Sequence, residues 1–139
     1  MQVILSDHNC EGQAETLFNT LRYQGYATLL SINLLFFHDV GLDIRAGDEV
    51  VWQLCQDKGY LLLTGNRTAS DGSGSLEYVI RRLLRPTSLP VITLANLRRI
   101  HVDRAYCELC AEELAELIFD LNRVRGTPRL YIPGHALNR

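Results

Sequence analysis

The chain lacks the features that would tie it to a special environment. It holds a single lysine, Lys58, and no stretch approaches the roughly 18 consecutive apolar residues of a membrane span, so no membrane association is expected. Neither sign of charge dominates, and a net charge of −2 at pH 7 argues against a protein that coats nucleic acid through bulk electrostatics. The N-terminus opens directly on a strand-like run, without a basic n-region, an apolar h-region or a small-residue cleavage site; a cytoplasmic protein without a signal peptide is expected. Cysteine is sparse too: Cys10, Cys55, Cys107 and Cys110 are scattered over helix-like segments and read as reduced thiols rather than a disulfide framework. Cys107-Glu108-Leu109-Cys110 has the CxxC spacing but no second pair and no paired histidines, which argues against structural zinc. The Gly72-Ser73-Gly74-Ser75 turn lacks a Walker lysine, which argues against nucleoside triphosphate hydrolysis.

What the chain does contain is an ordinary globular mixture, 47% apolar and 22% charged over 139 residues, enough for one domain that buries about two-thirds of its unfolded surface. Thirteen of the fourteen basic residues are arginine, and nine of these fall close together in three groups: Arg81, Arg82 and Arg85; Arg98, Arg99 and Arg104; Arg123, Arg125 and Arg129. The planar guanidinium fork suits phosphate recognition, although a genome that favours arginine codons accounts for the composition equally well.

Short apolar runs alternate with helical periodicities. Residues 2–6 read as a first strand. Ala14, Leu17, Phe18 and Leu21 recur at helical spacing until Gly25 ends the pattern. Residues 27–32 read as the second strand, and 33–47 have no clean period. Asp48 and Glu49 open a helix that carries Val51, Leu54 and Cys55 inward, and Gly59 closes it. Tyr60 to Thr64 reads as a strand covered on both faces. Leu76, Val79, Ile80, Leu83 and Leu84 mark a helix capped by Ser75 and stopped at Pro86. Leu89 to Leu94 reads as a further strand. Asp103 caps a last helix with Leu114, Leu117, Ile118 and Leu121 on one face, ended by Gly126 and Pro128. The tail from Arg129 either adds an edge strand or covers the sheet. This alternation implies βαβ units and a parallel sheet with right-handed crossovers.

In such a sheet, ligands bind outside the carboxyl ends of the strands. Asp7 stands at the end of the first strand, and Asp48 lies on the sheet-facing stripe at a helix start, so both are drawn to that edge. The bland explanations are a helix cap for Asp7 and a favourable helix-dipole position for Asp48. Carboxylates gathered there repel one another unless a divalent cation neutralises them, which points to metal-dependent phosphate chemistry.

The order of pieces resembles the PIN-like family, in particular its small bacterial members with an Asp-Glu-Asn-like start and a Thr-x-Asp turn in mid-chain. The matching segments are Ile4-Leu5-Ser6-Asp7-His8-Asn9, Tyr23-Gln24-Gly25-Tyr26, Gly47-Asp48-Glu49-Val50-Val51 and Gly59-Tyr60-Leu61-Leu62-Leu63-Thr64-Gly65-Asn66. The resemblance implies a single PIN-like domain over 1–139, with its core in 1–100 and a C-terminal helix and tail in 101–139. The implied fold is an α/β three-layer sandwich with a central, mainly parallel sheet of four to five strands flanked by helices. The implied activity is hydrolysis of RNA phosphodiester bonds with Mg²⁺ or Mn²⁺, often by the toxin of a toxin–antitoxin pair. RNA, an antitoxin-like protein and a second copy in a homo-oligomer are its expected partners.

Carried over residue by residue, Asp7 matches the first metal-binding acid and Asp48 the helix-borne one. His8 replaces a glutamate, and Asn66 replaces the aspartate of the mid-chain turn. Asp7, Asp48 and Asn66 are therefore the expected catalytic residues, with Asp7 and Asp48 as metal ligands. His8, Glu11, Thr64, Arg67 and Asp71 are expected in support. Because Asn66 contributes no negative charge, the alternative is a catalytically inactive PIN-like protein, or an RNA-binding module that keeps the groove without the metal.

Overall fold

The computed structural model describes residues 1–65 and 73–134, and of residues 73–75 the backbone alone. Five strands, β1 (Gln2–Ser6), β2 (Ile32–Leu35), β3 (Leu61–Gly65), β4 (Val91–Leu94) and β5 (Arg129–Ile132), form one sheet in the order β2-β1-β3-β4-β5. Every pairing is parallel. Helices α1 (Glu11–Tyr23), α2 (Tyr26–Leu29), α3 (Asp48–Lys58), α4 (Ser73–Leu83), α5 (Leu97–Val102) and α6 (Arg104–Phe119) flank it. The chain is thus an α/β protein with helices on both faces of a five-stranded parallel sheet. Among the described residues, no helix is long and apolar enough to cross a membrane.

Both faces of the sheet are buried along β3 and β4, and β3 shows why its sequence is a continuous apolar run. Leu61 and Leu63 join α1 and α6 through Leu17, Leu21, Leu114 and Ile118, whereas Leu62 joins α3 and α4 through Val51, Trp52, Val79 and Ile80. A strand covered on both sides has no position at which a polar side chain would meet water.

The β1–β2 connection runs through α1 on one face; the β2–β3 and β3–β4 connections run through α3 and α4 on the other. These three share one hand. The β4–β5 connection steps in the same direction as β3–β4 but returns through α5 and α6 on the α1 face, so its hand is opposite, a departure from uniform right-handed crossovers. The α4 face is already covered by α3 and α4, while the apolar side of α6 fills the space beside α1 over β3, β4 and β5.

Most of the expected elements are present, with shifts where the pattern was weak. The second strand is Ile32–Leu35 rather than 27–32. Gly25, at φ 87°, ends α1; one helical turn follows over Tyr26–Leu29, and Ser31, at φ 53°, turns the chain into β2. Leu29 is 75% exposed, so the apolar look of 27–30 does not mark a buried strand. Residues 33–47 supply the rest of β2 and a 3₁₀ turn at Phe37–Val40. Trp52, not Leu54, is fully buried beside Val51 and Cys55 on α3. α6 ends at Phe119, and a 3₁₀ turn over Leu121–Val124 intervenes before Gly126. Asp103 caps α6 as expected, its Oδ1 accepting from the Tyr106 amide at 3.1 Å. Ser75 does not cap α4: the helix starts at Ser73, so Ser75 lies within its first turn. The tail takes the first of its two alternatives: β5 is an edge strand hydrogen-bonded to β4.

A two-acid cleft at the carboxyl edge of the sheet

The chain leaves β1 toward β2 on one face and β3 toward β4 on the other, so the sheet reverses its winding between β1 and β3. Ligands bind in the crevice outside such a switch point. Here the crevice is a cleft of about 180 Å³ on the α3 side, lined by Asp7, His8, Asn9, Phe37, Ile44, Ala46, Asp48, Val51, Leu62 and Leu76. Asp7 arrives from the end of β1 and Asp48 from the first turn of α3. The structure therefore brings together two acids separated by forty-one positions in the sequence.

Asp7 is not a helix cap. It stands before the 3₁₀ turn His8–Cys10, but its side chain accepts no capping bond there. Instead Thr64 Oγ1, on a strand residue only 1% exposed, donates to Asp7 Oδ2 at 2.9 Å. The Asp7 amide also donates to the Leu63 carbonyl at 2.8 Å, which continues the sheet pairing past the end of β1 and fixes the backbone that carries the carboxylate. Asp48 is half-buried at the start of α3, whereas its neighbour Glu49 is exposed and ion-paired with Arg82 of α4. That difference agrees with the sheet-facing position expected of Asp48.

His8 stands at the rim, with its side chain 47% exposed, and its Nδ1 lies 3.4 Å from Glu11 Oε2. Glu11 does not line the cleft and touches it only through His8. Thr64 supports Asp7 from beneath. Asn66, Arg67 and Asp71 lie outside the described residues.

Asn9 is the residue that sequence reasoning passed over. Its Oδ1 accepts from the Gly65 amide at 3.4 Å, tying the end of β1 to the end of β3. Its Nδ2 is buried with no hydrogen-bond partner among the described residues. The available signal was its place two residues after Asp7. A helix was passed over as well: Asn96 caps α5, its Oδ1 accepting from the Arg99 amide at 3.1 Å.

The cysteines take no part in nucleophilic chemistry. All four are free and buried. Burial, reinforced by the nearby Asp7 carboxylate, pushes the Cys55 thiol up to about 12; burial likewise pushes Cys110 up to about 12 and raises Cys107. Thiols held protonated are poor nucleophiles and poor ligands.

Among the described residues no three His, Cys, Asp or Glu side chains converge on a common point, so no closed all-protein cage exists there. The two carboxylates nevertheless fit Mg²⁺ or Mn²⁺, because a small hard cation keeps several waters and needs only one or two carboxylates.

A larger groove, about 820 Å³, lies on the opposite face between α2 and α6, lined by Tyr26, Leu29, Leu117, Phe119, Glu112 and Asp120 among others. It touches no strand end, and its Asp120 is ion-paired with Arg123 at 3.3 Å. The smaller cleft holds the convergent acids. Compared with protein-family models, curated proteins and solved structures, the chain matches none of them.

Proposed function

We propose that the chain is a PIN-like, metal-dependent ribonuclease of the cytoplasm, with Asp7 and Asp48 as ligands of Mg²⁺ or Mn²⁺. The observation that carries this reading is the meeting of the two acids in one cleft at the switch point of the sheet. When bound, the cation supplies Lewis-acid polarisation of a phosphoryl oxygen and a lowered pKa for water. The chain's own groups do the rest. Thr64 holds the Asp7 carboxylate in one orientation, and Asn9 ties the end of β1 to the end of β3 through the Gly65 amide. His8, steadied by Glu11 at Nδ1, offers Nε2 for proton transfer at the rim. Val51, Leu62, Phe37 and Leu76 give the cleft an apolar wall that limits water around the reacting group. A toxin with an antitoxin-like partner, acting as a homo-oligomer, is the context that the family resemblance supplies for such an enzyme.

A second reading follows from the count of acids. Among the described residues two carboxylates, rather than three or more, line the cleft, and Asn66 stands where the resemblance expects an aspartate. On that reading the groove binds RNA without cutting it. The test is cleavage of a panel of single-stranded and structured RNAs with Mg²⁺ or Mn²⁺ by the wild type, Asp7→Asn and Asp48→Asn. The nuclease reading expects divalent-dependent cleavage that each substitution reduces at least a hundredfold. Persistence of cleavage in both variants overturns it, and the absence of wild-type cleavage favours the binding module.

A further inference from the structure

The structure shows which arginines are already engaged. Arg99 pairs with Asp103, Arg104 with Glu108, Arg123 with Asp120 and Arg129 with Glu77, while Arg125 donates to the Thr87 carbonyl and to Asn122. The second group leaves Arg98 exposed without an acidic partner among the described residues, and the group on and just after α4 leaves two. Arg81 and Arg85 are exposed and have no acidic partner among the described residues. Arg82, between them, is shared: it pairs with Glu49 and its guanidinium lies 5.8 Å from the centroid of the Tyr78 ring. Tyr78 itself is 65% exposed.

Positions 78, 81 and 82 follow the i, i+3, i+4 spacing of one helix face, and Arg85 lies two residues past the end of α4. α4 buries its opposite face through Leu76, Val79 and Ile80. The outward face therefore carries an aromatic ring and the guanidinium groups of Arg81 and Arg82, with that of Arg85 just beyond the helix end. It lies near the cleft, because Arg82 pairs with Glu49, the neighbour of Asp48 at the start of α3.

We propose that this face of α4 is the docking surface that leads single-stranded RNA to the Asp7–Asp48 cleft. The inference rests on the nuclease reading only for the destination of the strand. Charge complementarity selects the occupant: guanidinium forks without an acidic partner among the described residues match phosphate oxygens, and each phosphate neutralised releases counterions. The exposed ring selects unpaired bases, which stack on an aromatic platform, whereas the bases of a duplex are already stacked on one another. A chain with a net charge of −2 binds RNA only where its positive charge is concentrated, and α4 is such a place.

The experiment is fluorescence anisotropy of a labelled single-stranded oligoribonucleotide with the full chain in EDTA, over a series of salt concentrations. Arg81→Ala/Arg85→Ala is expected to weaken binding at least tenfold at low salt. It should also flatten the slope of log K against log salt by about 1.4, since each phosphate contact on a single strand contributes about 0.7. Tyr78→Ala should weaken binding severalfold with the slope unchanged. The control Arg98→Ala/Arg104→Ala, which removes the same charge from exposed positions on the other face, should bind like wild type. Thermal melts of the variants show whether these exposed substitutions leave the fold intact. Equal losses in both double variants, an unaffected Arg81→Ala/Arg85→Ala, or no binding by the wild type overturns the proposal.

Hydrolysis of bis(p-nitrophenyl) phosphate with Mn²⁺ separates this inference from the nuclease reading, because that diester is too small to reach along α4. Its rate should be the same in wild type and in the α4 variants. RNA binding that depends on Arg81 and Arg85 without any diester hydrolysis upholds the docking surface and removes the nuclease. Hydrolysis with RNA binding indifferent to α4 does the reverse.

Discussion

Thr64 and Asp7, fifty-seven residues apart, meet through a 2.9 Å hydrogen bond in which the buried threonine hydroxyl donates to the carboxylate. A bond to a charged acceptor away from bulk water contributes about 1.5–3 kcal/mol. It also confines the Asp7 side chain to the orientation that lines the cleft.

Thr64→Val keeps the shape of the side chain and removes the donor. The expected outcome is a loss of about 1–3 kcal/mol in urea denaturation and a fall in divalent-dependent cleavage, because Asp7 is no longer held. Thr64→Ser should restore most of both. A valine variant with full stability and full cleavage would show that the hydroxyl does not position Asp7.

How much of this was readable beforehand differs by element. α1, α3, α4 and α6 announced themselves because each buries one stripe against the sheet, and a stripe leaves a period. β3 was legible as a run covered on both faces. β2 was not, because it is an edge strand in which only Ile32 is fully buried, while the helical turn before it carries an apolar residue, Leu29, that faces solvent. α5 has six residues, too few to set up a period, and only its cap Asn96 marked it. Of the site, Asp7 and Asp48 were accessible from their places at an element's end and start. The bonds from Thr64 to Asp7 and from Gly65 to Asn9 join residues on different strands or loops, and no local pattern encodes such a pairing.

Asn66 lies outside the described residues, yet its identity carries a prediction. If the cleft is a weakly charged metal site, Asn66→Asp adds a carboxylate and should raise Mn²⁺ affinity and cleavage together, since ligand charge tunes hard-cation binding. If the groove works without metal, the added charge only repels Asp7 and Asp48 and lowers stability. Melting temperatures of wild type and Asn66→Asp with and without Mn²⁺ distinguish the two. A variant that is less stable and gains nothing from Mn²⁺ contradicts the metal site.

The thiols give a test of burial that is independent of function. Burial holds Cys55 and Cys110 protonated up to about 12 in the folded chain, against 9.0 for an ordinary thiol. The native protein at pH 8 should therefore react with a thiol reagent far more slowly than the chain in denaturant, where all four cysteines react. The sign of the pH effect follows from proton counting. Between 9.0 and about 12 the folded chain holds thiol protons that the unfolded chain has lost, so this contribution to stability is complete below 9 and declines as pH rises through that window. Denaturation midpoints at pH 8 and pH 10 check it, and a midpoint that rises with pH would contradict it.

Calorimetric titration of Mn²⁺ into the wild type, Asp7→Asn and Asp48→Asn reads the two-acid site itself. The asparagine at position 7 still offers Thr64 an acceptor, so loss of binding there cannot be assigned to loss of the fold. One bound ion per chain in the wild type, with affinity reduced at least tenfold in each variant, is the predicted result. Mn²⁺ affinity that is the same in all three proteins, or no binding to the wild type, would contradict the assignment of Asp7 and Asp48 as a joint metal site.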